Sequence, residues 1–437
     1  MSSSLTLTLP RSFDPCDFLP HRLLMRADDA RWLISLILVK TANRDTDPWG
    51  LVRLDSQILR RVMYKHDATD VIRALEHGGA IETAAYCTGV KCKGYRLAKR
   101  YLGDRCVRMP VTDPRLLGSI ERERQRLDAE EQQARWKPIH YRLNVEQRCL
   151  TIDDAADVIL AGLPDHARLC QDVLVGNIRR REFPFSVGTT RRVFNAITGL
   201  KRDLRPALRI GGEPLGSVDI RCAQPGLLAI VFTSQNPPSV PKPRATYKHE
   251  AAAGPSLHSC PLPPLVLSSL IEESPLQAAP GRDAPPLLAL LSSSFGASDV
   301  ADFCELASSG TLYERLVALS GLERDAVKLA FLRDVLAKRG HYPSAVENAF
   351  RAEFPSVHRA IRYINRRDHG ELIRLLQRME SWLVVENVSP RLVGRVPCIT
   401  LHDAIYSTHG NLAAVETAFK ETFDELGCRL ALKVEMP

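Results

Sequence analysis

The sequence predicts an α+β protein, on the basis of its composition and of two kinds of hydrophobic pattern. The chain has 437 residues, 45% of them hydrophobic and 25% charged, as is ordinary for a folded globular protein. Several long stretches repeat apolar residues at helical spacing, whereas short apolar runs bounded by turn residues predict strands. This mixture excludes collagen-like and wholly disordered proteins, and the length allows two or three domains.

The first predicted domain covers residues 30–104 and follows a flexible polar tail at 1–29. Helical spacing predicts three short helices, which begin near Arg31, Asp55 and Ala68. A basic hairpin follows, and three helices before such a hairpin resemble a winged helix. Its wing would carry two nucleic-acid-binding cations, Lys91 and Lys93. A protein-binding module, or a plain helical domain with a charged hairpin, remains open.

A charged helical linker is predicted at 105–137, and the second domain at 138–437. The net charge of +8 is concentrated in residues 171–210, which hold nine Lys and Arg residues against three Asp and Glu residues. A basic segment of this kind suggests a polyanionic partner. Twelve of the 29 prolines fall between positions 237 and 286, so a disordered insertion is predicted at 234–287.

Two aspartates stand where strands are predicted to end. Asp219 closes the apolar run that begins at Leu215, and Asp403 follows His402 at the bend of an apolar hairpin. Mg²⁺ prefers hard oxygen ligands, and two such carboxylates side by side would suit two-metal phosphoryl transfer. Turn capping is the simpler explanation for either aspartate taken alone.

One predicted helix, Glu323–Lys338, lies between these aspartates in the sequence. Arg324 and Lys328 are four residues apart and so emerge from one face, where two cations could hold a triphosphate. A solvated helical face is the simpler interpretation of this spacing.

The order of these residues resembles the signature motifs of family A DNA polymerases. Their first motif, Asp-Tyr-Ser-Gln-x-Glu at the end of a palm strand, corresponds to Asp219 through Gln224. Their fingers helix begins Arg-x3-Lys, as Arg324 and Lys328 do. The resemblance is to a compact, divergent relative of the kind expected on a mobile element or a phage-derived locus.

The third motif of that family, His-Asp-Glu on a hairpin, corresponds to His402-Asp403-Ala404. Further positions match segments that contact primer and template in the family. The nucleic-acid-binding residues implied in the second domain are Arg191, Arg192, Arg205, Gln377 and His402.

The resemblance implies a polymerase-like palm with helical fingers, which adds deoxynucleotides to a primer 3′ end with two Mg²⁺ ions. Asp219 and Asp403 would bind the metal ions, and Lys328 would be the catalytic proton donor. Arg324, Lys328 and Gln224 would contact the nucleotide. The implied partners are a DNA primer-template and deoxynucleoside triphosphates, with no membrane. We expect a monomer. The eleven cysteines are scattered without a Cys-x-x-Cys pair, which favours reduced thiols and a location in the cytoplasm.

Two departures from the family motifs support an alternative hypothesis. Gln224 stands where the family has the glutamate that screens the sugar, and Ala404 replaces the glutamate of the third motif. The alternative is a catalytically decayed, polymerase-like protein that binds DNA or assists replication. A winged-helix protein with an unrelated α/β domain is a third hypothesis.

Overall fold

The computed structural model describes residues 5–47, 49–85, 92–233 and 298–436. The fold is mixed α+β, 58% helical and 14% strand, which confirms the predicted class. The predicted insertion at 234–287 lies outside the described residues. Within them, no helix combines the length and the apolar character needed to cross a membrane.

The chain divides into two compact units. Unit 1 comprises the residues up to Ser186 together with Phe194–Leu215, and unit 2 comprises Val187–Val193 and Gly216–Met436. The helices of unit 1 are α1 (Ala27–Ala42), α2 (Ser56–Val62), α3 (Ala68–His77), α4 (Pro114–Arg135), α5 (Pro138–Glu146), α6 (Ala155–Gly162) and α7 (Asp165–Arg179). Its strands are β1 (Thr6–Pro10), β2 (Val52–Leu54), β3 (Ile81–Ala84), β4 (Lys93–Leu97), β5 (Cys106–Pro110), β6 (Leu150–Ile152) and β9 (Leu208–Ile210).

Residues 27–97 of unit 1 follow the order helix, strand, helix, helix, strand, strand. The three strands form an antiparallel sheet in the order β2, β4, β3. The apolar residues of α3 at helical spacing, Val71 and Leu75, are fully buried. α3 ends at His77 and is capped by Gly78, and Gly79 adopts a φ of 71°, which a residue without a side chain tolerates best.

The prediction of a flexible tail at 1–29 is wrong for residues 5–29, which are folded into unit 1. β1 pairs antiparallel with β5 along its whole length. The alternation Leu-Thr-Leu-Thr-Leu places Leu7 and Leu9 on one face of the strand, where both are buried, and Thr8 on the other face is buried as well. That period-two pattern is a strand signal within an otherwise polar segment.

The predicted boundaries of the linker and the second domain also need correction. The segment 105–137 begins with a strand, β5, and only then forms the predicted charged helix α4. Leu116 of α4 is buried, and Arg61 of α2 forms a bidentate ion pair with Glu123 of α4. α4 therefore packs on the first domain, and residues 138–186 belong to unit 1.

Unit 2 contains the segments that carry the family-like motifs. Two short strands, β7 (Ser186–Val187) and β8 (Val193–Phe194), flank its first segment, and β10 (Glu213–Ile220) enters it at Gly216. Its helices are α8 (Ala223–Thr233), α9 (Ser298–Ser308), α10 (Leu312–Ser320), α11 (Arg324–Ala330), α12 (Ala345–Glu353), α13 (Pro355–Ile364), α14 (Glu371–Ser381), α15 (Ser389–Leu392) and α16 (Leu412–Leu426). Its remaining strands are β11 (Ile399–Leu401), β12 (Ala404–Thr408) and β13 (Leu432–Glu435).

The sheet of unit 2 has the order β11, β12, β10, with β13 also paired to β10. The predicted hairpin at the third motif is confirmed as β11 and β12, and the predicted strand before Asp219 as β10. The helices pack around an aromatic core in which Phe331 lies 5.4 Å from Phe350 and 5.8 Å from Tyr313, measured between ring centroids. This core fixes α11 from its buried side.

Two helices of unit 2 pass into π-helical turns. α11 continues as a π-helix over Phe331–Leu336, and α14 continues as one over Trp382–Val388. Such turns are rare and occur frequently at functional sites. Both π-helical segments directly follow helices that carry residues predicted from the sequence to belong to the site.

Candidate active site

Asp219 and Asp403 lie side by side at one end of the unit 2 sheet. Asp219 is the penultimate residue of β10, and Asp403 occupies the two-residue turn between β11 and β12. The backbone N–H of Ile220 donates to the carbonyl oxygen of Asp403 at 3.3 Å, which ties the strand end to the hairpin. The two carboxyl groups are close enough for each to affect the pKa of the other. The sequence-predicted pair is therefore brought together.

Burial raises the pKa of both carboxyl groups. Burial is the larger cause for Asp219, and the charge of Asp403 adds to it, so that the pKa of Asp219 rises to about 8. Burial also raises the pKa of Asp403, against the opposing charges of Arg192 and Lys328. Two like charges this close ionise together only when a cation compensates them.

The hairpin that carries Asp403 contains an uncommon backbone conformation. His402 has a φ of 57°, in the left-handed region that non-glycine residues seldom adopt. A two-residue hairpin turn of this kind needs a positive φ, and the sequence places histidine there. The strained turn presents Asp403 beside the end of β10.

The two cations on α11 face different surroundings. Lys328 is exposed, and its charge acts on both Asp219 and Asp403, lowering their pKa values. Arg324 is half exposed, and its Nε donates to Glu314 at 3.0 Å. An ion pair with this exposure is weak and exchangeable, so Arg324 remains available to an anionic ligand.

A third acid, Glu380 on α14, joins the site. Its side chain is 2% exposed and receives a bidentate ion pair from Arg192, with Nε to Oε1 at 2.8 Å and Nη2 to Oε2 at 2.7 Å. Gln224 Nε2 also donates to Glu380 Oε2 at 3.0 Å. Burial raises the pKa of Glu380 to about 7, Arg192 opposes that rise, and Asp403 contributes to it.

Sequence reasoning did not identify Glu380 as a site residue. One signal was present, because Glu380 is a charged residue among the apolar positions Leu376, Met379 and Leu383, all of which are buried. A carboxylate on the buried face of a helix requires a buried partner. The sequence does not say that Arg192, far away along the chain, supplies it.

Arg191 and Arg192, which were expected to contact nucleic acid, both have acidic partners within the protein. The side chain of Arg192 is only 18% exposed and its guanidinium is bound to Glu380. Arg191 Nη1 lies 3.4 Å from Glu386 Oε1. Both arginines pair with acids of unit 2, which compensates charge inside the protein.

Other basic residues of the 171–210 segment are paired as well. Arg179 forms a bidentate ion pair with Asp157, and Arg209 pairs with Asp153. Arg180 pairs with Glu182. The local charge excess seen in the sequence is therefore partly neutralised by carboxylates from neighbouring elements.

The remaining predicted contact residues are placed as follows. Lys93 pairs with Glu76 at 3.4 Å, so the base expected on the wing is partly compensated, and Lys91 lies outside the described residues. Arg205 lies in unit 1, where its Nη2 donates to the carbonyl of Leu200. Gln377 is half-buried on α14, one turn before Glu380.

The carboxylate pair fits a divalent cation in its chemistry. Asp219 Oδ1 is shielded from solvent and has no hydrogen-bond donor among the described residues. Buried carboxylate oxygens without donors, with raised pKa values and a carboxylate neighbour, are suitable hard ligands for Mg²⁺. In the described part of the chain no group of three or more His, Cys, Asp or Glu side chains has metal-binding geometry, so the protein would supply two carboxylates.

No protein-family model matches the chain, and no curated protein sequence matches it either.

Proposed function

We propose that this protein is a template-directed DNA polymerase that adds deoxynucleotides to a primer 3′ end, with a family A-like palm and helical fingers in unit 2. The observation that carries the proposal is the convergence of Asp219 and Asp403, with the charge of Lys328 acting on both. These residues are far apart in the sequence and match three separate motifs. A turn-capping role for each aspartate alone does not require them to meet.

In this proposal Asp219 and Asp403 would hold two Mg²⁺ ions, and the bound metal would supply positive charge next to the primer 3′-hydroxyl and the leaving pyrophosphate. Arg324 and Lys328 bind the triphosphate from one face of α11. Lys328 Nζ, which is exposed, also donates a proton to the departing pyrophosphate. Gln224 borders the nucleotide, and His402 and Gln377 contact the primer-template.

The N-terminal part of unit 1 is proposed to be a winged helix that binds DNA. The order of its elements and the antiparallel β2, β4, β3 sheet support this assignment. The wing bases weigh against strong phosphate binding, because Arg96 pairs with Glu82 and Lys93 with Glu76. Binding by this part would therefore depend weakly on salt concentration.

Primer extension by the purified full chain tests the function. The assay uses a labelled primer on a DNA template, all four deoxynucleoside triphosphates and Mg²⁺. We expect extension by the natural chain, and a loss of roughly a thousandfold in Asp219→Asn and in Asp403→Asn. Asp302→Asn is the matched control, because Asp302 is an exposed carboxylate on α9 in the same unit.

Binding of the primer-template should survive in both active-site variants, as measured by fluorescence anisotropy. Extension that persists in both variants would contradict the metal assignment. A natural chain that binds the primer-template tightly but does not extend it would favour the decayed, DNA-binding alternative.

A further inference from the structure

Glu380 is the meeting point of three segments of unit 2. Arg192 comes from the turn over residues 188–192, which is closed by the Gly188 N–H donating to the Arg192 carbonyl at 2.9 Å. Gln224 lies in the first turn of α8, five residues after Asp219. Glu380 itself belongs to α14. One carboxylate thus receives side-chain hydrogen bonds from two other segments, one of which continues directly from β10.

The bonding pattern fixes the orientation of both partners. The bidentate geometry holds the guanidinium of Arg192 in a single plane with the carboxylate. Gln224 presents its N–H to Glu380, since the reverse orientation would set its carbonyl oxygen against a carboxylate. Gln224 Oε1 is therefore the free end of the amide, and it is shielded from solvent without a donor among the described residues.

The Glu380–Arg192 pair is also electrically linked to Asp403. The positive charge of Arg192 lowers the pKa of Asp403, and the negative charge of Asp403 raises the pKa of Glu380. Removing Glu380 would leave a buried, unpaired guanidinium within electrostatic range of a carboxylate that is proposed to bind Mg²⁺. That unpaired charge would oppose the binding of a divalent cation.

The geometry points to Glu380 as a positioning residue, which holds Arg192 and Gln224 in place beside Asp403 and so tunes the carboxylate pair for divalent cations. This inference rests on the proposed function for its catalytic readout. Residues that support metal ligands from outside commonly change metal affinity or activity by 10- to 100-fold when replaced.

A purely structural ion pair is the competing explanation, and it makes a different prediction. A buried ion pair can often be replaced by apolar residues of similar size without loss of stability, whereas breaking it from one side is destabilising. The double variant Arg192→Met/Glu380→Met should therefore unfold at a higher temperature than Glu380→Met alone. If the pair only stabilises the fold, function should return together with stability.

The experiment measures thermal unfolding midpoints as MgCl₂ is titrated, and then single-nucleotide incorporation. We expect Glu380→Gln to require about tenfold more Mg²⁺ than the natural chain for the same rise in midpoint. We also expect kcat to fall about 10- to 100-fold while the KM for the nucleotide changes by less than about threefold. The double variant should recover stability but not the Mg²⁺ response or kcat.

Glu386→Gln is the matched control, because Glu386 pairs with Arg191 in the same unit, whereas it is Glu380 that binds Arg192 and feels the charge of Asp403. Its Mg²⁺ dependence should equal that of the natural chain. Recovery of both the Mg²⁺ response and kcat in the double variant overturns the positioning role. An equal Mg²⁺ dependence in Glu380→Gln and Glu386→Gln also overturns the positioning role. The same holds if the unfolding midpoint of the natural chain does not respond to Mg²⁺.

The failure of this inference and the failure of the proposed function are distinguishable. A natural chain that responds to Mg²⁺ but incorporates no nucleotide contradicts the polymerase proposal. In that case the shift in Mg²⁺ dependence between Glu380→Gln and Glu386→Gln still decides the role of Glu380.

Discussion

The main chains of Ile220 and Asp403 are joined by a hydrogen bond of 3.3 Å between the N–H of one residue and the carbonyl of the other. Asp219 immediately precedes Ile220, so this bond holds its carboxyl group next to that of Asp403. The backbone sets their proximity, although burial and the charge of Asp403 oppose the ionisation of Asp219. A cation that compensates the second negative charge would therefore be strongly favoured in this half-buried place.

Asp219→Asn should stabilise the protein in the absence of divalent cations. The substitution keeps the size of the side chain and removes a carboxylate whose ionisation is opposed by burial and by Asp403. We expect a gain of about 1–2 kcal/mol in the free energy of unfolding, or about 2–8 °C in the midpoint. Differential scanning calorimetry in a chelating buffer measures it. An unchanged or lowered midpoint, judged against Asp302→Asn, would show that the pair is not strained.

The stability difference between the natural chain and Asp219→Asn should depend on pH. The pKa of Asp219 is 3.8 in the unfolded chain and about 8 in the folded protein. Above pH 8 both states are ionised, and folding carries the full electrostatic penalty. As the pH falls through 8 the folded state takes up a proton first, so stability rises until the unfolded carboxylate is protonated near 3.8.

We therefore expect the advantage of Asp219→Asn to be largest near pH 9 and to shrink steadily toward pH 5. Thermal unfolding of both proteins across this range, without divalent cations, checks the expectation. An advantage that stays constant with pH would contradict the raised pKa.

Lys328→Ala should reduce nucleotide incorporation by about 100-fold or more, because one side chain supplies both a triphosphate contact and a proton. Lys328→Arg should keep the charge and recover nucleotide binding better than the incorporation rate, since a guanidinium does not release its proton. Single-turnover incorporation under saturating nucleotide measures the rate. Asp325→Asn, an exposed change on the same helix, is the control. If Lys328→Ala incorporates nucleotides as fast as the natural chain, Lys328 is not the proton donor.

The ion pairs of the basic segment lead to a prediction about DNA binding. Arg179 is bound to Asp157, so Arg179→Gln should leave the salt dependence of binding unchanged. Lys201 has no carboxylate partner among the described residues, and Lys201→Gln should reduce the slope of log K against log salt by about 0.9 if it contacts a phosphate. Fluorescence anisotropy at several salt concentrations distinguishes the two. The opposite pattern would mean that DNA displaces the Arg179 pair.

The strand-end aspartates could be predicted from the sequence because their signals are local. Apolar runs, the turn residues that follow them and the order of the motifs all lie within short windows around Asp219 and Asp403. The strand at Thr6–Pro10 also had a local signal, the Leu-Thr alternation. Because the residues around it are polar, its pairing with the strand at Cys106–Pro110 was not predicted.

Glu380 and the arginines could not be interpreted in this way, because their roles depend on partners far along the chain. In the sequence Arg192 belongs to a basic segment, whereas in the structure it is the largely buried counter-ion of Glu380. Only the packing of α14 distinguishes these possibilities. The charge counted along a chain overestimates the charge that is open to a ligand whenever carboxylates from distant parts of the sequence pair with the basic residues.

The π-helical turns after Ala330 and Ser381 change how this protein tolerates insertions and deletions. Each turn is equivalent to one extra residue within an α-helix. Deleting one residue there would restore regular helix and rotate whatever follows relative to Lys328 or Glu380. Relatives that lack the extra residue would be offset by one position in both helices, so their alignment with this chain should allow a one-residue gap at each turn.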